Sequence, residues 1–421
     1  MVLIFSAVMH LALQCAKFAI FLSCGYAAAT PDSSRQPSRL DTRQLGARPQ
    51  AGWAFTAPLV AVVPPVIGQV TPPLPLAEFN TPKFARPLSF EEAASGVNAS
   101  VTTIRDNFQL IKMLMPNLAL PDRPLPINIR DLEGELERFE KRQSTCTNPR
   151  VRVEWDSYST SDRQAFVNGI KCLLNRQPSG QFRGAQNRYE DLVALHASLT
   201  PRVHGNAIFL LWHRYYLWTF EDILRQECGF NGNIPWFDEA KYAGRFSQSS
   251  IFSSQWFGSL NLRGNCVTNG QFPNLALNIG PGLRNVRHCL SRSGDESKTA
   301  NTRQSITDAC NSRTAFADMA SCAEGAAHAW GHNGIGAVMQ DTYASPADPV
   351  FWLHHGYVDR NFRAWQSRSV QTRTTTIRGT DADGRQLTLD TSIAVGNLRP
   401  NVRIRDVLNT QSLSLCYRYS Y

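Results

Sequence analysis

The chain has 421 residues, 43% of them hydrophobic, enough for one large globular domain or two modest ones. Only 18% are charged and the net charge is +9. From Gln143 onward 29 Lys+Arg stand against 22 Asp+Glu, mostly scattered arginine without a run of five or six like charges. That argues against a nucleic-acid partner, whose binding surface gathers its positive charge on one face.

Residues 1–29 are mostly apolar and end in Ala27-Ala28-Ala29. From Phe18 to Ala29 they fit the apolar region and small-residue cleavage site of a secretory signal peptide. Lys17 divides the run, which counts against an anchor needing about 20 continuous apolar residues. The expectation is a secreted chain with no membrane association after signal removal. Beyond the signal lie eight cysteines, Cys146, Cys172, Cys228, Cys266, Cys289, Cys310, Cys322 and Cys416. An even count on a secreted chain predicts disulfides, and spacing alone does not pair them.

Residues 30–142 form the second segment. Eleven of the 24 prolines fall within 30–90, which reads as an extended or disordered arm. Residues 89–116 and 128–142 carry helical patterns, with Ser89 as the N-cap of the first. Asn98-Ala99-Ser100 is a glycosylation sequon. Lys141-Arg142 reads either as a processing site or as ordinary charge at a helix C-terminus. Cleavage there would release a domain of 143–421.

The region after Gln143 is mainly helical. Helices are predicted over 159–175, 187–198, 206–228, 324–334 and 352–367. Residues 234–302, rich in Gly, Asn and Ser, read as long loops stapled by cysteines. Residues 370–421 suggest a few short strands, beginning at Thr374-Thr375-Thr376-Ile377, because β-branched residues favour strands.

Seven of the nine histidines fall in two windows: His196, His204 and His213, then His328, His332, His354 and His355. His328 and His332 are four apart and share one helix face. His213 follows the apolar run Ala207 to Trp212, and a buried imidazole needs a partner that a metal supplies. His204 is nine residues before His213, about 180° away on a continuous helix, so it belongs on the loop entering that helix. His355 begins a later helix. Asp359, four residues on, is placed to orient nearby groups. His354 points about 100° away from His355, so one of the two lies outside the metal's immediate ligands. Imidazoles suit copper, zinc or iron. The Glu-x-x-His pairs of a di-iron bundle and the His-Glu-x-x-His of many zinc hydrolases are absent. Two all-histidine triplets favour copper that binds oxygen.

Two longer stretches carry a resemblance. Residues 203–215 (VHGNAIFLLWHRY) and 348–360 (DPVFWLHHGYVDR) resemble the first and second copper motifs of the tyrosinase family, in the family's order. Val151-Arg152-Val153-Glu154-Trp155 resembles its early Arg-x-Glu-Trp segment, and Tyr417-Arg418-Tyr419 the tyrosine motif that closes its core. The resemblance runs from about Cys146 to the C-terminus. It implies a four-helix-bundle core holding two copper ions, with O2 as co-substrate and a small phenol as substrate. It implies that His196, His204 and His213 bind the first copper and His328, His332 and His355 the second, with His354 a neighbour. Glu324 resembles a glutamate that holds a water beside the second copper; its plainer reading is a surface helix residue.

The chain departs from the family at three places. Ala329 stands where many tyrosinases have asparagine, Arg202 where many have a thioether cysteine, and Pro235-Trp236-Phe237-Asp238-Glu239 replaces Pro-Tyr-Trp-Asp-Trp. The missing asparagine makes o-diphenol oxidation the expected activity ahead of monophenol hydroxylation. A dedicated oxidase of one metabolite or peptide, and a non-catalytic oxygen carrier, are the other readings. The N-terminal segment is a candidate cover for the site, and Asn333 and Thr342 are candidate gates by position.

Overall fold

The computed structural model describes residues 71–83, 85–93 and 146–421. The expected signal, most of the arm, the sequon, the Lys141-Arg142 pair and the helix over 128–142 lie outside the described residues.

Five helices frame the core. Helix α1, Thr160–Asn175, starts where the Ser159 side chain accepts the Asp162 amide, and its Phe166, Val167, Ile170 and Leu173 face inward. Helix α2, Arg188–Val203, is capped by Asn187, which accepts the Glu190 amide. It runs five residues past the expected end, because Pro201 sits in its last turn without breaking it. Helix α3, Phe209–Cys228, is buried along nearly its whole length and ends at Gly229, whose φ of 64° supplies the left-handed turn that closes helices. Helix α4, Ala329–Ile335, continues Phe316–Ala323 through a π-helical turn, Glu324–His328. Such wide turns recur at functional sites. Helix α5, Phe351–Ser367, follows Asp348, which accepts the Val350 amide and is gripped at both oxygens by buried Arg292.

Helices α1, α2 and α3 pack on one another, and α5 lies along α3. At that seam Trp352 stacks on Phe220 with centroids 3.8 Å apart, both fully buried. Removing either ring would cost about 3–5 kcal/mol. The four-helix core expected from the resemblance is therefore present.

The cysteines pair as Cys146–Cys416, Cys172–Cys228, Cys266–Cys289 and Cys310–Cys322. The second ties α1 to α3, and the third staples the long loop region 234–302. Strand β1, Arg150–Arg152, pairs in parallel with β2, Tyr417–Tyr419, so the two short motifs at opposite ends of the domain are hydrogen-bonded neighbours.

The C-terminal stretch corrects one expectation. Thr374, Thr375 and Thr376 form no strand: their hydroxyls donate back to the carbonyls of Val370, Gln371 and Thr372 and close a helical turn, Val370–Arg373. β-Branching loses here to local side-chain-to-backbone bonding. Strands do follow, as the pair Ser392–Ile393 with Val402–Arg403, and β2.

Candidate metal centre

The first histidine set joins α2 to α3. His196 sits mid-α2, His204 caps its C-terminus, and His213 lies one turn into α3. Gly205, at φ 68°, turns the chain so that His204 folds back toward its partners. Ring centroids lie 5.2 Å (His196–His204), 4.8 Å (His204–His213) and 5.5 Å (His196–His213) apart. Each Nδ1 faces a backbone carbonyl: Tyr343 at 2.7 Å, Thr200 at 3.3 Å and Phe209 at 2.8 Å. Those bonds place the ring proton on Nδ1 and leave Nε2 a bare lone pair. The Nε2 atoms of His196 and His213 then face each other at 3.4 Å without a proton between them. A shared cation resolves that repulsion.

The second set comes from the π turn, α4 and α5. His328 Nδ1 donates to Glu324 O at 2.9 Å and His332 Nδ1 to Met339 O at 2.8 Å. His332 Nε2 and His355 Nε2 approach to 3.3 Å. His328 Nε2 is buried with no hydrogen-bond partner among the described residues. One ring nitrogen from each of His328, His332, His354 and His355 lies within 4.8 Å of the others; the same holds for His196, His204 and His213. His213 stacks on His355 across the gap between the sets.

Burial pushes all seven imidazoles down, His196 to about 4, and neighbouring imidazoles push several further. At neutral pH these rings are uncharged, the form that binds metals. Six neutral imidazoles converging without a carboxylate oxygen among them fit copper by donor type.

Glu324 is buried, which contradicts its plainer reading as a surface residue, and both carboxylate oxygens accept the Gly205 amide at 2.9 and 3.0 Å. Burial pushes it up to about 8 against the opposing pull of that amide. It lines a cavity of about 40 Å³ with His204, His328, Ala329 and His332, and both expected gate residues, Asn333 and Thr342, line it too.

The rest of the wall is Met339, Gln340 and Ser345, with Lys83 and Ala85 from an N-terminal strap described over 71–83 and 85–93. Cys289 N donates to Pro72 O, Thr81 Oγ1 to Asp341 Oδ1 at 3.1 Å, and Lys83 Nζ to Asn333 Oδ1 at 2.6 Å. Leu88 N meets Gly325 O at 2.7 Å and Leu88 O accepts Trp330 Nε1 at 2.8 Å. A Cβ on Gly325 would fall 2.9 Å from Arg86 O, so only glycine lets the strap pass this close. Ser89 caps as expected, exchanging bonds with Glu92 in a capping box. Lys83 and Ala85 close the cavity from above.

Asp359 does not orient an imidazole. It accepts Arg214 Nε at 2.6 Å, Tyr417 Oη at 2.5 Å and Tyr419 Oη at 2.6 Å, locking β2 onto α3 and α5. Arg202 is exposed and pairs with Asp383. Sequence reasoning named the N-terminal segment as a candidate cover for the site but not which of its residues lie there, since extended chain carries no periodicity. It also missed a partner for His354: Glu239 Oε1 lies 2.5 Å from His354 Nδ1, both side chains fully buried. The signal was present in the departure at Glu239.

Residues 186–368 match the common central domain of tyrosinase, a span that contains all seven clustered histidines. The chain is 31% identical over 296 residues to tyrosinase ustQ of Aspergillus flavus, covering 65% of this chain and 80% of that one. It is 27% identical to tyrosinase P of Aspergillus terreus, covering 65% and 93%. It is 29% identical to the N-acetyl-6-hydroxytryptophan oxidase ivoB of Emericella nidulans, covering 66% and 94%. A mutant polyphenol oxidase from Thermothelomyces thermophila shares the fold, with a TM-score of 0.61 at 23% identity over 80% of this chain and all of that one. No helix among the described residues is long and apolar enough to cross a membrane. The chain belongs to the tyrosinase family and is a copper oxidoreductase with the family's helical core.

Proposed function

We propose that the chain oxidises o-diphenols to o-quinones with O2, at a copper pair held by His196, His204 and His213 on one side and His328, His332 and His355 on the other. The observation that carries this reading is the convergence of Nε2 atoms within two triplets whose rings stack on each other through His213 and His355. When bound, the copper pair would supply the redox capacity by which the two electrons of each diphenol reach O2, two diphenols for each O2 reduced to water.

The chain's own residues do the rest. Backbone carbonyls hold five of the six rings by Nδ1, fixing their tautomer and aim before any metal arrives. Apolar burial keeps the rings neutral. Glu324, anchored by the Gly205 amide, holds a water at the cavity wall. Ala329 offers no hydrogen-bonding side chain beside it, which favours diphenol oxidation over hydroxylation of monophenols, a step that needs the phenol deprotonated in place.

The strap 71–93 covers the site. The cavity measures about 40 Å³, well below the roughly 150 Å³ of an engineered cavity that binds benzene. Moving the strap or cutting it away, the role of a pro-segment within 30–142, would widen the way in for substrate. Four disulfides suit an oxidising compartment and secretion. The name of the Emericella relative, an oxidase of one substrate, supports a dedicated biosynthetic oxidase as the second reading.

The test is quinone formation by copper-loaded protein with catechol, before and after limited proteolysis upstream of Cys146. Oxygen-dependent quinone formation that rises after cleavage is expected. No oxygen uptake with any member of a diphenol panel, cut or uncut, refutes the reading.

A further inference from the structure

Among the described residues, Lys83 is the one ammonium that lines the cavity beside the histidines. It comes from the N-terminal strap, outside the span that matches the family's central domain. Its Nζ donates to Asn333 Oδ1 at 2.6 Å, and Asn333 is held in that pose by donating its own Nδ2 to Ala329 O at 2.7 Å. Asn333 is a neutral acceptor. The lysine ion pairs among the described residues are Lys241–Asp156 and Lys298–Asp295, so no carboxylate there balances Lys83.

The carboxylates around it are engaged elsewhere. Glu324, which lines the same cavity, turns both oxygens to the Gly205 amide. Asp341 accepts Thr81 Oγ1 and the Gly282 and Tyr343 amides. Asp295 pairs with Lys298. Partial burial and the neighbouring charge of Lys298 both hold the Lys83 ammonium below the ordinary lysine value.

A residue kept only to tether the strap needs no charge. Thr81 tethers it to Asp341 through a neutral hydroxyl. A glutamine at position 83 would offer Asn333 the same kind of donor without the cost of taking an ammonium partly out of water. A half-buried cation near a second one, at the wall of a cavity that brings no anion to meet it, suits an anionic ligand.

We propose that Lys83 is a specificity-determining residue for diphenols that carry a carboxylate. With the two catechol oxygens directed at the histidine triplets, the acid group on the far side of the ring replaces Asn333 Oδ1 as acceptor for the Lys83 ammonium. The exchange frees one tether of the strap as the substrate arrives. For a neutral phenol the strap only narrows the way in; for an acid it supplies the counter-charge. The assignment rests on the oxidase reading above and narrows its substrate class.

The experiment compares kcat/KM of the copper-loaded full chain for 3,4-dihydroxyphenylacetate and for its methyl ester, which share one catechol and differ by one charge. The ratio of the two cancels changes in copper content and in how often the strap opens. The parent is expected to favour the acid. Lys83→Gln should lower the acid-to-ester ratio about 10-fold, through KM more than kcat, as for the loss of one hydrogen bond to a charged group. Lys83→Arg should retain most of the ratio. Salt at about 1 M should lower the parent's ratio and leave that of Lys83→Gln nearly fixed. A ratio in Lys83→Gln equal to the parent's overturns the proposal, as does a parent ratio indifferent to salt. A parent chain that forms no quinone from either compound refutes the oxidase reading itself and the proposal with it, an outcome distinct from an active chain that ignores the charge.

Discussion

The His213 and His355 rings lie face to face, centroids 4.5 Å apart and planes 12° from parallel. One ring comes from α3 and the other from α5, so the seam between those helices is also the wall between the two metal positions. Disturbing either ring is felt on both sides. His213→Gln should remove the first copper and loosen the second by about 10-fold, the lower end for losing a supporting neighbour. Metal analysis after dialysis against chelator checks this; full retention of both ions counts against the shared wall.

The strap is held over the cavity by a few polar bonds at its centre, two of them Thr81 to Asp341 and Lys83 to Asn333. Each contributes about 1 kcal/mol, so the double variant Thr81→Ala, Lys83→Ala should raise the open fraction roughly 10-fold or more. Diphenol turnover by the uncut chain should rise accordingly. Turnover unchanged in this variant and in the proteolysed chain would show that the strap does not limit access.

Asp359 ties Arg214, Arg152, Tyr417 and Tyr419 into one buried cluster. Burial alone would raise its carboxyl, but Arg214 and Arg152 outweigh that and, with the two tyrosine hydroxyls, hold it below the ordinary aspartate value. A carboxyl depressed in the fold contributes stability that is present above its unfolded pKa and lost as pH falls through the folded one. Asp359→Asn should therefore cost about 3–5 kcal/mol at neutral pH and flatten the loss of stability in acid. Denaturant midpoints of the metal-free protein from neutral to strongly acid pH test both parts.

Ala329 faces the cavity immediately after His328. Ala329→Asn places a hydrogen-bonding amide there and should raise the ratio of monophenol to diphenol turnover on the order of 10-fold. If the parent already hydroxylates tyrosine rapidly and without a lag, the preference for diphenols is wrong.

Much of this was legible in the chain. The apolar run before His213 marked α3, the four-residue spacing marked the face shared by His328 and His332, and the 180° phase conflict placed His204 on the loop between helices. What stayed hidden depends on contacts between distant residues. Glu239 and His354 are 115 residues apart, and no local pattern announces their meeting. The strap binds through backbone groups and short polar side chains, which leave no period. Thr374 to Thr376 misled because threonine serves strands and hydroxyl-closed turns alike.

At the centre of the proposed chemistry, two triplets of imidazoles hold a copper pair that meets oxygen. Metal content per folded chain, measured with the absorption spectrum as oxygen is admitted to the reduced protein and then withdrawn, tests it most directly. Two copper ions per chain are expected, with an absorption change that appears with oxygen and reverses without it. A single bound ion, a preference for zinc or iron, or a spectrum indifferent to oxygen would contradict it.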